Sequence, residues 1–159
     1  MKIGIMAASI SINYDAVWAH VTKEFLCDPD SIHGPNHWRR VEQTALGISA
    51  NNGANVYVVR LFAVFHDSQR VNDSVDSGHG KRGAEYAASL RGILFNLSDE
   101  HFELLRYACV NHTNGQLNDD LTIGACWDAD RLDLTRIGET PKAEFMSTAL
   151  GRSLCSTSK

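Results

Sequence analysis

The sequence predicts an all-α single domain, and three observations carry that expectation. Apolar residues recur at helical spacing along most of the chain, no convincing pair of alternating strands occurs, and Pro35, Gly53 and Pro141 fall where helices would start or stop. A chain of 159 residues has room for one core, so the expected domain is 1–159. At this length folding buries roughly 70% of the unfolded surface, and disulfides are not needed to hold it.

The first expected helix is 14–26 (YDAVWAHVTKEFL), with Val17, Trp18, Val21 and Phe25 on one face. The second, 35–52, opens on Pro35 and stops before Gly53. The third, 55–67 (NVYVVRLFAVFHD), is nearly all apolar. Thirteen residues is long for a strand, which favours a central buried helix. Residues 80–95 carry Ala84, Ala87, Ala88, Leu90, Ile93 and Leu94, and 99–112 follow a Ser98 cap with Asp99 and Glu100 at the positive helix end. Residues 119–134 and 141–150 complete seven helices. Loops are expected at 68–78 and 113–118, each just after a histidine, and a frayed tail from Gly151.

A content of 43% hydrophobic and 21% charged residues with three prolines excludes a disordered or collagen-like chain, and no stretch is apolar enough for a membrane span. The net charge of −4 without a basic run argues against a nucleic-acid polymer as partner but allows a local basic pocket for a phosphorylated small molecule. Cys27, Cys109, Cys126 and Cys155 form no C-x-x-C pair and read as free thiols in a reducing compartment. The first twelve residues (MKIGIMAASISI) faintly resemble a signal peptide. The positive region is thin and a helical pattern begins at once, so a cytoplasmic location is expected. A homodimer is left open.

Of the seven histidines, His20 and His101 read as surface or satisfied structural residues, and His33 receives no role. His66-Asp67 is the sharpest feature. An imidazole and a carboxylate at the end of an apolar helix are costly to bury unless paired or metal-bound. The second feature is HGPNHWRRV (33–41), with His37 in the first turn of its helix and Arg40 three residues on. The third is WDADRLD (127–133). Together they offer two imidazoles and two carboxylates without a thiolate. That donor set suits Mn, Fe, Co or Ni, with Mg or Zn as further choices, and leaves coordination positions open for water and substrate.

The order His, His-Asp, Asp, carried by His37, His66-Asp67 and Asp130, resembles the HD-domain superfamily of metal-dependent phosphohydrolases. The words HGPNHWRRV, FHD and DADRLD agree, and the resemblance spans 33–136. It implies an all-helical fold around a metal held by His37, His66, Asp67 and Asp130, with Asp128 as competitor for the last place. Asp67 is also expected to orient the nucleophile. His79 and His112 are expected as acid/base or substrate groups, because 13 residues after His66 is early for a second-metal ligand. One ion per chain is therefore favoured, with two left open. Arg40, Lys81 and Arg131 are the expected phosphate contacts, and Arg82 reads as a surface charge.

The text after the pair, Ser68-Gln69-Arg70-Val71, lacks the acids of the ppGpp hydrolases and the Glu of the deoxynucleoside-5′-monophosphatases, and no Gly-Tyr-Pro occurs. What the resemblance implies is a hydrolase of a nucleotide or other small phosphoester or phosphoanhydride. The alternative is a di-iron oxygenase of the same fold with His79 and His112 on a second metal. A non-catalytic metal or nucleotide sensor is a third reading.

Overall fold

The computed structural model describes residues 10–155, so most of the apolar opening run and the last four residues of the expected tail lie outside the described residues. Seven α-helices are present among them: α1 (Tyr14–Glu24), α2 (Pro35–Asn52), α3 (Val56–Phe65), α4 (His79–Leu90), α5 (Asp99–Asn111), α6 (Leu121–Leu132) and α7 (Ala149–Cys155). No strand occurs among the described residues, where the only β pairing is an isolated bridge between Arg91 and Phe95. None of these helices is long and apolar enough to cross a membrane.

Helix α3 is the axis of the fold. Its residues Val58, Val59 and Leu61 through Phe65 are fully buried, as the all-apolar run predicts, because α1, α2, α4, α5 and α6 surround it. Fully burying one such side chain contributes about 1.5–3 kcal/mol. Local caps fix where the helices begin. Asn55 accepts from Val58 N–H, Ser98 from His101 N–H, and Asp120 from Thr122 and Ile123 N–H. His66 directly follows α3, and His112 directly follows α5. His79 opens α4, and His37 lies in the first turn of α2. Four imidazoles thus stand at helix ends around one point.

Two glycines bring α4 close enough for that. A Cβ at Gly80 would collide with the Cys109 carbonyl of α5, and one at Gly83 with the Phe65 carbonyl of α3. The His-Gly-Lys-Arg-Gly stretch is therefore a contact surface between three helices.

The ends of two expected elements differ. Helix α4 stops at Leu90 instead of continuing to 95, since the chain turns at Arg91-Gly92 and Gly92 N–H donates to Phe95 C=O at 2.7 Å. The helix expected at 141–150 is instead a strap with one 3-10 turn (Ala143–Phe145), and a helix occupies Ala149–Cys155, where fraying was expected. The cause is Asp128. Its buried carboxylate accepts from Ser147 N–H (2.7 Å), Thr148 N–H (2.8 Å) and Thr148 Oγ1 (2.7 Å). Thr148 Oγ1 in turn accepts from Gly151 N–H at 2.9 Å, so the helix restarts at Ala149.

Candidate metal centre

Asp67 sits at the centre of the site, 2% exposed, with its two carboxylate oxygens facing different imidazoles. Its Oδ2 lies 3.6 Å from both His37 Nε2 and His66 Nε2, and His33 Nδ1 donates to it at 3.1 Å. Its Oδ1 lies 3.2 Å from His79 Nε2 and 3.4 Å from His112 Nε2, with Arg70 Nε at 3.3 Å. Asp130 Oδ1 completes the first group, 3.1 Å from His37 Nε2 and 3.5 Å from His66 Nε2. Two buried triads capable of holding a metal ion result: His37, His66 and Asp67, and Asp67, His79 and His112.

The tautomers favour cation binding. His37 Nδ1 meets Asp133 Oδ2 at 2.7 Å, and His66 Nδ1 meets the Phe62 and Ala63 carbonyls at 3.0 Å. His79 Nδ1 meets the Asp76 carbonyl at 2.6 Å, and His112 Nδ1 the Cys109 carbonyl at 2.7 Å. All four Nδ1 positions face acceptors and so carry the proton, which leaves lone pairs on Nε2 in the neutral rings. Those nitrogens stand in pairs, His37 to His66 at 3.1 Å and His79 to His112 at 3.0 Å. Two bare lone pairs at that separation repel unless a cation lies between them. Nitrogen and oxygen donors without sulfur fit a divalent ion of intermediate hardness.

Charge follows the same logic. Burial pushes Asp67 upward, but the imidazoles, His66 first, outweigh it and hold the carboxyl well below its usual range. Burial likewise opposes ionisation of Asp130, and the hydrogen bonds to His37 and His66 overcome it. Burial lowers His37, but its hydrogen bonds to Asp130 and Asp133 more than offset that, a net upward shift by which a proton competes with a metal ion for Nε2. The carboxylates are ready as anionic ligands.

The residues of the expected first ligand set, His37, His66, Asp67 and Asp130, converge. Asp128, the competitor for the last place, faces away and anchors the strap. His79 and His112, expected as acid/base or substrate groups, point Nε2 at Asp67 and form with it a second triad that could hold a metal ion. The expected phosphate contacts separate. Lys81 is largely exposed and nearest Glu85 at 3.8 Å, and Arg40 pairs with Asp133 Oδ1 at 2.8 Å, so neither lines the cavity. Arg131 does line it, yet its guanidinium donates to the carbonyls of Gly115, Gln116 (2.7 Å) and Phe145 (2.9 Å). Arg82 pairs with Asp76 at 2.6 Å, His101 bonds to Asn55, and His20 stacks on Tyr86.

Three site residues went unassigned in the sequence: Asp133, which orients His37, Arg70, and His33. Arg70 follows Asp67 by three residues and Asp133 follows Asp130 by three, so helical spacing from a ligand was the available signal. The cluster opens into a cavity of about 540 Å³. His33, Asp67, Arg70, His112 and Asp130 line its inner end.

No protein-family model matches the chain, and no curated protein matches it. Among solved structures, the crystal structure of a predicted HD superfamily hydrolase from an uncultured Thermotogales bacterium is similar. It is 25% identical with a TM-score of 0.69, over 88% of this chain and 82% of that one.

Proposed function

We propose that this chain, whose fold is similar to that of a predicted HD superfamily hydrolase, is a metal-dependent hydrolase of a small phosphoester or phosphoanhydride, with a nucleotide as the favoured substrate class. The observation that carries the reading is the convergence of four Nε2 lone pairs on the two oxygens of Asp67 at the floor of a ligand-sized cavity. The likeness to a predicted hydrolase supports it. His37, His66, Asp67 and Asp130 would hold one divalent ion, and Asp67, His79 and His112 a second. Such ions supply Lewis acidity and make hydroxide available near neutral pH.

The remaining work falls to this chain's own groups. Arg70 places a guanidinium beside Asp67 Oδ1 at the cavity floor, where it can neutralise phosphate charge. With His79 and His112 engaged as ligands, His33 is the imidazole left at the cavity. Its Nδ1–H donates to Asp67 Oδ2, leaving Nε2 to carry a proton to the leaving oxygen. The test is phosphate release from a panel of nucleotides and simple phosphoesters with Mn²⁺. Release that His66→Ala abolishes supports the reading. Retained nucleotide binding without release from any substrate would point to a sensor.

The second triad is also what the di-iron oxygenase reading requires. The cavity-lining cations Arg70, Arg136 and Lys142 favour a phosphorylated substrate over it. Dioxygen consumption by the iron-loaded protein would reverse that preference.

A further inference from the structure

The cavity's outer wall is one continuous segment. Leu134, Arg136, Ile137, Glu139, Lys142 and Phe145 line it, all from the chain between α6 and α7. We propose that this wall is the subsite for the non-reacting part of the substrate, with Lys142 receiving a second anionic group and Phe145 packing on a flat apolar one. The inference rests on the hydrolase reading and adds which residues select the substrate.

Four cations line the cavity, and three are already engaged. Arg70 bonds to Asp67 and the Ser74 carbonyl, Arg131 to three carbonyls, and Arg136 to the Ile32 and Asp133 carbonyls. Lys142 is exposed and lines the cavity, and its side chain has no hydrogen bond or ion pair to any described residue. A free ammonium there attracts an anion distinct from the one held near Arg70. Phe145 is 55% exposed and Ile137 42% exposed, and no described aromatic ring packs on Phe145. Large apolar side chains left in water at a cavity mouth gain from covering by a planar group.

The wall is also held in place before any ligand arrives. Arg131 follows Asp130 directly and ties the Phe145 carbonyl to the 115–116 loop, and Asp128 fixes Ser147 and Thr148. One helix therefore carries a metal ligand and both anchors of the wall. Preorganisation of this kind reduces the ordering cost of binding.

The test is calorimetric binding to the Mn²⁺-loaded protein, using inorganic phosphate and α,β-methylene-ADP as probes. Lys142→Gln should weaken α,β-methylene-ADP about tenfold, the scale of one charge-assisted hydrogen bond, and leave inorganic phosphate unchanged. Lys142→Arg should restore most of the loss. Phe145→Ala should weaken the nucleotide analogue by a similar factor, as removal of a stacking face does, again sparing phosphate. Equal weakening of both probes, or of neither, overturns the proposal while leaving the hydrolase reading standing. Failure of the wild-type protein to bind inorganic phosphate overturns both.

Discussion

At and behind the inner end of the cavity His37, His66, Asp67, His79 and His112 are each at most 5% exposed, and all four of these imidazoles have Nδ1 bonded. Along the outer wall Phe145 is 55% exposed, and the Lys142 side chain bonds to no described residue. The inner end is built from helix termini locked by packing. The wall is the chain between α6 and α7, with two short 3-10 turns, held at a few points. The difference separates two tasks. Groups that must present fixed lone pairs are buried and oriented by outer-shell acceptors. Groups that must meet a variable ligand stay solvated and unspent.

The sharpest way to break the comparison is at the residue both triads share. Asp67→Asn removes its negative charge, and metal affinity should fall by more than the 10–100-fold typical of outer-shell changes. Elemental analysis and phosphate release would both register it. His112→Ala should instead cost one ion and spare the other.

Gly83→Ala should come next. A methyl forced against the Phe65 carbonyl pushes α4 from α3, at a cost of about 1–3 kcal/mol in stability measured by urea unfolding. It should also separate His79 from Asp67, so the second ion is lost before the first.

Asp133→Asn is milder. The fold persists, but His37 loses its anionic partner, and affinity for the first ion should drop about 10–100-fold in a competition titration. On the outer wall, Asp128→Asn should loosen the strap. We expect a loss of about 1–3 kcal/mol in thermal unfolding, with metal content unchanged, because only the wall depends on that carboxylate. A loss of metal in Asp128→Asn would erase the distinction between the two regions.

Much of the inner end is legible in the sequence because its motifs carry a fixed order. His37, His66-Asp67 and Asp130 stand at predicted helix positions, and the structure brings them together. Spacing alone did not show that His79 and His112 face Asp67. A separation of 13 residues along the chain reads as too early, but Gly80 and Gly83 fold α4 back onto α3 and α5, and separation in sequence no longer measures separation in space. Lys81 and Arg40 are expected as phosphate contacts because they neighbour motifs. A neighbour on a helix turns about 100° away, and Lys81 points to solvent. The strap could not be read at all from local pattern. Thr140-Pro141 is a fair helix start, and only the buried Asp128 from another element overrides it.

The most direct test of the central claim is metal stoichiometry by elemental analysis of gently purified protein, alongside His37→Ala and His112→Ala. Two divalent ions per wild-type chain and one in each variant are expected. A wild-type chain holding a single ion that survives in His112→Ala would contradict the shared role of Asp67.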